Sequence, residues 1–191
     1  MRRFVTFAVL LSTLAMPAFA QTSTWVPDQA HSEVDFSILH LAISKVHGRF
    51  GNITGGIILD KADMSKSKAN ITIDVTTVDT GMSSRDSVLK SDSFFDVKKY
   101  STATFVSTSV TKNADGLKVA GNLTLRGITR PVVLTVDGPN GPVTGPDHKQ
   151  HAGFSATTEI SRKEFGIGAS FPTSIVGDDV KLSIDLEVIE K

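Results

Sequence analysis

The chain has 191 residues, with 20 Lys and Arg balanced by 20 Asp and Glu, and no cysteine. The missing cysteine excludes disulfide scaffolds, thiolate metal sites and cysteine nucleophiles. A balanced charge is no footprint for nucleic acid or for an anionic membrane surface, and the length suits one domain with a sizeable core.

Residues 1–20 read as a secretory signal peptide. Arg2 and Arg3 make a basic start, residues 5–14 are largely apolar, and Ala18-Phe19-Ala20 is a small-x-small cleavage site. The apolar run is too short for a membrane span, which argues against the alternative, a retained anchor. Cleavage after Ala20 starts the mature chain at Gln21 and leaves residues 21–191 as one domain. No other apolar run approaches spanning length, so no stable membrane insertion is expected.

From there the chain alternates apolar and polar residues with a period of two, the pattern of half-buried strands. The first strand covers about residues 24–39, with Val34, Phe36 and Ile38 on one face; His40 shares their parity and is expected inward or at the inner rim. The second, about 46–59, is broken by Gly48, Gly51, Gly55 and Gly56, the mark of bends or bulges that curl a sheet. The third, 69–78, sets Ala69, Ile71, Ile73 and Val75 against Asn70, Thr72, Asp74 and Thr76.

Between residues 81 and 105 the alternation stops. Ser83 and Ser84 can cap a helix, Asp86 sits in its first turn, and Asp86 with Lys90 forms an (i, i+4) pair. Val88 and Leu89 give only a narrow apolar edge, and a helix this short needs tertiary contacts. With Phe94 and Phe95 following, residues 81–95 read as a helical lid ending in an aromatic plug.

Strands resume at 102–111 and 117–125, joined by an Asn113-Ala114-Asp115-Gly116 turn with Gly placed for positive φ. Pro131 opens a strand at 132–136, and residues 137–147, rich in Gly and Pro, read as a loop. Residues 152–161 align Phe154, Ala156, Thr158 and Ile160; 162–177 read as irregular; 178–189 close the chain with Val180, Leu182, Ile184, Leu186 and Val188 on one face. The result is eight antiparallel strands with one short helix after the third. Closure into a barrel removes exposed edges, and a barrel of that size is filled by side chains or holds one small ligand. A two-sheet sandwich has the same periodicity.

Phe36, Ile38, Phe50, Ile71, Ile73, Phe105, Leu123, Leu125, Phe154 and Ile184 share the apolar parity of their strands. They are the lining candidates, with Phe94 and Phe95 from the lid; an ordinary packed core is the plainer reading. His40, His47, Arg49, Arg85 and Lys90 form a second set. Gathered at one mouth they would take a polar head group while the Phe residues hold a tail. The alternative is a solvated rim with Arg85 paired to Asp86 or Asp92.

His148 and His151 flank Lys149-Gln150 in the Gly/Pro-rich region, but no third metal ligand is evident nearby, and exposed loop histidines are the commoner outcome. No metal or cofactor is expected. Gly-x-Ser-x-Gly is absent, so hydrolase chemistry has no visible nucleophile elbow.

The ordered segments also resemble the YceI-like family. They include Val34-Asp35-Phe36-Ser37-Ile38-Leu39-His40, Val46-His47-Gly48-Arg49-Phe50, Asp79-Thr80-Gly81, Phe94-Phe95-Asp96-Val97 and Gly121-Asn122-Leu123-Thr124-Leu125-Arg126-Gly127. Residues 162–166 and Val176-Gly177-Asp178 complete the series, which spans nearly the whole mature domain. The resemblance implies an all-β, lipocalin-like barrel of secreted bacterial proteins holding a long apolar molecule such as a polyisoprenoid, an isoprenoid quinone precursor or a fatty-acid derivative. It implies a periplasmic carrier rather than an enzyme; an enzyme acting on such a lipid and a ligand-free structural or stress protein are the rivals. Self-association into a homodimer is left open.

Overall fold

The computed structural model describes residues 22–113 and 116–191. The signal peptide expected at residues 1–20 and the centre of the predicted turn, Ala114 and Asp115, lie outside the described residues. Among the described residues there are nine strands: β1 (Thr22–His40), β2 (Ser44–Phe50), β3 (Ile53–Asp60), β4 (Lys68–Asp74), β5 (Thr102–Asn113), β6 (Gly116–Leu125), β7 (Ile128–Thr144), β8 (Gln150–Ser161) and β9 (Val176–Glu190). An α-helix, α1 (Ser83–Lys90), lies between β4 and β5.

The strands form a closed antiparallel barrel, because β3 to β9 pair in sequence and β9 returns to β1. β2 and β3 share one edge of β1: β2 pairs with its last third, Val34–His40, and β3 with its first residues, Thr22–Trp25. They are two halves of one stave, so the ring has eight staves, the number expected. The break falls at Gly51 and Asn52, where Asn52 takes a φ of 55°. The curl expected from the glycines is visible at Gly55, whose φ is 113° and which lies so close to the Asn70 carbonyl that no side chain would fit.

Several boundaries differ from the sequence reading. The third strand ends at Asp74, whose side chain accepts from the Thr76 N–H and turns Val75–Thr77 into a 3-10 turn. That local bond competes with the ladder, as Asp side chains do. The Gly/Pro-rich stretch is strand as far as Thr144. Its register with β8 skips between Asp137 and Asn140 and again between Asn140 and Val143. Each Gly-Pro pair sits in one of these bulges, where proline is not asked to donate to the ladder. Pro131 lies inside β7, opposite Asn122, rather than opening it. The loop 162–177 contains one short 3-10 turn, Lys163–Phe165.

Inward-facing side chains make two adjoining clusters, one around Trp25, Val34, Phe36, Phe50 and Ile53, the other around Phe94, Phe105, Val119, Leu123 and Phe165. The barrel has two unlike ends. One, the lid end, carries the β1–β2 hairpin, the segment 75–101 with α1, and the loop 162–175. The other, the far end, carries the connection 61–67 with its 3-10 turn Met64–Lys66, and the turn between β7 and β8.

Candidate functional site

The barrel interior holds two apolar chambers. The far-end chamber, about 140 Å³, is lined by Ile57, Leu59, Met64, Ile71, Phe105, Val119, Phe154, Ile184 and Leu186 among others. The lid-end chamber, about 120 Å³, is lined by Phe36, Ile38, Phe50, Leu89, Phe94, Phe95, Leu125 and Ile167 among others. Val34, Ile73, Leu123 and Leu182 line both and form the waist between them. Each chamber is near the ~150 Å³ of an engineered apolar cavity that stays dry and takes benzene. The twelve lining candidates all border one chamber or both, with Ile73 and Leu123 at the waist. Val34, Leu182, Met64 and Leu89 also line them; Val34 and Leu182 carried the same strand parity, whereas Met64 and Leu89 lie outside strands and gave no periodic signal.

Polar groups are few. Ser67, Lys68 and Thr158 reach the far-end chamber and Arg162 the lid-end one; among the described residues no Asp, Glu or His lines either. Arg162 is 2% exposed. Its Nε donates to the Gly177 carbonyl, Nη1 to those of Ile167 and Gly168, and Nη2 to those of Phe171 and Val176. All five guanidinium donors are thereby used on the backbone of the loop they organise. Burial pulls this group's pKa down, opposed by nearby Asp178. Sequence reading gave Arg162 no such role.

The lid is fastened by rings and by Thr80. Phe94 is buried and meets Phe171 at 5.1 Å between centroids, while Phe95 stands edge-on to Phe50 at 5.5 Å. The Gly168 N–H donates to the Ser93 carbonyl, and Gly168 lies so close to the Phe94 ring that a side chain would force it aside. Arg126 bridges the same two segments, donating to the carbonyls of Gly166 and Asp92.

The N-cap position of α1 is Met82, without a side-chain cap, so neither Ser83 nor Ser84 caps it. Asp86 reaches back instead, accepting from the Thr80 N–H at 2.9 Å and hydroxyl at 2.6 Å. Arg85 donates to the Thr80 hydroxyl at 2.7 Å and carbonyl at 2.8 Å. This knot takes the place of the expected Asp86–Lys90 pair and of Arg85 pairing with Asp86 or Asp92.

The five basic candidates do not meet at a chamber mouth. His40 is exposed on the β1–β2 hairpin rather than inward; it ends β1 opposite Ser44, and the register with β9 shifts between Ile38 and His40, which breaks the parity that the sequence carried. His47 and Arg49 border a polar groove on the outer wall, where Arg49 is 3.5 Å from Asp79 and 3.8 Å from Glu33. Arg85 is held at Thr80, and Lys90 ends α1. None of the five lines either chamber.

His151 lies between two carboxylates, its Nδ1 2.7 Å from Glu187 and its Nε2 2.9 Å from Asp147. Those hydrogen bonds, to Asp147 first and Glu187 second, raise its pKa. Across Glu187, His31 pairs with Asp28 at 2.9 Å, and the ligand atoms of Asp28, His31 and Glu187 lie within 4.8 Å of one another. Topology supplies Glu187 from β9, whereas Asp147 lies only four residues before His151 and was within reach of the local reading. His148, at a φ of 63°, is exposed in the preceding turn.

Residues 25–188 match the family described as the YceI-like domain. A UPF0312 protein of Serratia proteamaculans is 41% identical over 161 residues, covering 82% of this chain and 80% of that one. The crystal structure of the Campylobacter jejuni YceI protein superposes with a TM-score of 0.71 at 34% identity, covering 81% of this chain and 90% of that one. A polyisoprenoid binding domain from Saccharophagus degradans, implicated in plant cell wall breakdown, shares the fold at a TM-score of 0.64 and 17% identity, covering 90% of this chain and all of that one.

Proposed function

The chain belongs to the YceI-like family, and from that premise we propose that it is a periplasmic binding or carrier protein for a lipid with a long linear tail. The observation that carries this reading is the pair of chambers in series, joined at a waist of Val34, Ile73, Leu123 and Leu182. Two small spaces in line suit a chain that threads from one to the other; they do not suit a wide, rigid ring system. Tail surface removed from water gains about 25 cal/mol per Å², so affinity needs no precise polar contact. The Saccharophagus domain, described as polyisoprenoid-binding, supports an isoprenoid or fatty-acyl tail.

Catalysis is disfavoured by the lining. General acid–base or nucleophilic chemistry needs a titratable pair within reach of the substrate. The charged groups at the walls are Lys68 and Arg162, and every Arg162 donor is already engaged. Transport to the periplasm follows from the leader, and sequencing of the mature N-terminus should find Gln21 there; an intact Met1 would contradict it.

Organic extracts of protein purified gently from its native host, read by mass spectrometry, should contain one lipid per chain. Ile73→Trp fills the waist, and the variant should stay folded yet lose tail binding. Native-host protein without stoichiometric lipid, or a folded Ile73→Trp variant binding as well as wild type, would return the barrel to a packed structural role.

A further inference from the structure

At the lid end the β1–β2 hairpin turns through Leu41 and Ala42 at φ values of 52° and 56°. The connection is three residues long, Leu41 to Ile43, and its first two positions are ones that Asn or Gly would fill, because side chains with a Cβ resist positive φ. Here the disfavoured positions hold apolar residues. Leu39 and Leu41 stand exposed beside Ile43, which is 83% exposed. Ile175 joins them from the neighbouring loop, its carbonyl accepting from the Leu41 N–H at 2.9 Å, and it too is exposed.

The turn's own stretch carries no acid: residues 36–49 contain no Asp or Glu but include Lys45, which pairs with Leu39, and Arg49, which is held further back by Asp79 and Glu33, and residues 165–177 contain no charged side chain at all. The next carboxylate along the chain, Asp178, is occupied by the Ser161 hydroxyl and the Lys163 N–H. Directly behind the tip, Ile38 and Val176 line the lid-end chamber.

We propose that this tip inserts into the surface of a lipid bilayer and sets the lid-end chamber against the membrane. Apolar side chains raised on a turn, with Lys45 beside them and no carboxylate in the hairpin tip, fit between headgroups; they offer a folded partner neither a flat face nor a groove. The purpose of docking rests on the lipid-carrier reading, since a tail insoluble in water must pass between barrel and bilayer. The geometry of the tip does not.

Flotation with vesicles of phosphatidylcholine, with and without phosphatidylglycerol, tests it. Wild type should float with the vesicles, more with the anionic lipid and less in high salt. Ile43→Asp should lower the bound fraction about tenfold, the scale for keeping one large aliphatic side chain in water. The double variant Leu41→Asn with Ala42→Gly should relax the turn, so its melting temperature holds or rises while vesicle binding falls. Wild type that stays unbound, or variants that float as well as it does, would overturn the docking. So would sedimentation showing a wild-type dimer that Ile43→Asp splits, since the tip would then join two copies. Binding of cis-parinaric acid, measured without vesicles, should be unchanged in these variants. If wild type floats but binds no parinaric acid, docking stands and the carrier reading falls.

Discussion

The two ends of the barrel are closed by the same device in opposite sign. At the lid end a buried cation, Arg162, gathers five backbone carbonyls and shapes the loop that carries Phe165, Ile167 and Phe171. At the far end a buried anion, Asp60, 4% exposed, accepts from the N–H groups of Ala62 and Asp63, while its own N–H donates to the Ser67 hydroxyl. A guanidinium has five donors set in a rigid fork and can organise a long irregular loop. A carboxylate at the head of a short connection needs to hold only one turn. The difference teaches where the fold invests polar burial: most heavily at the end that bears the lid and the exposed apolar tip.

The largest effect should come from removing the cation. Arg162→Met leaves five carbonyls without their donor and should lower stability by about 5 kcal/mol, the scale expected when a buried network is broken. Arg162→Lys should recover less than half of that, because an ammonium cannot reach acceptors spread around a plane. Denaturant midpoints decide it; a loss under about 1 kcal/mol would mean the loop holds its own shape.

Next in size is the ring that binds the lid to this loop. Phe94→Ala opens a cavity beside Phe171 and Gly168 and should cost about 3 kcal/mol. Phe95→Ala, at a partly buried ring against Phe50, should cost less and should mainly speed lipid release. Equal stability losses with equal off-rates would show that the two rings act as one plug.

Much of the barrel was legible because each strand has one wet face, and alternation is what a half-buried strand leaves in a sequence. The lining followed from parity alone: Phe36 and Ile38 on β1, Ile71 and Ile73 on β4, Leu123 and Leu125 on β6. The second half of β7 was hidden, since Gly138-Pro139 and Gly141-Pro142 read as loop until the bulges that accommodate them are seen. Asp86 stands in the first turn of α1 as expected, but its partner was misread, as was the role of Asp74: each makes a short-range hydrogen bond to the backbone, and a pattern of hydrophobicity carries no trace of it. Arg162 was least legible. Its acceptors are main-chain carbonyls, present at every residue, so nothing in the sequence distinguishes it from a solvated loop arginine.

The far-end anion should matter less than the cation. Asp60→Ala removes the acceptor for two N–H groups and should cost about 2 kcal/mol. Asp60→Asn keeps a side-chain carbonyl in place of Oδ1 and should restore most of it. Should Asp60→Ala prove as damaging as Arg162→Met, the asymmetry between the ends would be lost, and the far-end turn would rank as an equal closure of the barrel.

The smallest effect belongs to the fastening of α1, and it separates two roles for Arg85. No residue of the helix is fully buried, so its hold on the barrel depends on Leu89, the Phe94–Phe95 plug and Thr80. The Thr80 hydroxyl donates to Asp86 and accepts from Arg85. Thr80→Val keeps the side-chain shape and deletes both bonds, and should cost about 1 kcal/mol. Arg85→Ala removes the donors to the Thr80 hydroxyl and carbonyl and should cost a similar amount. If Arg85 serves only this knot, the two variants should raise lipid off-rates alike, for charged and neutral lipids equally, and the double variant should add little because both act on one group. A head-group role predicts something else: Arg85→Ala weakens binding of anionic lipids while Thr80→Val does not. The engagement of the Arg85 guanidinium at Thr80 favours the first outcome, since neither residue lines the interior.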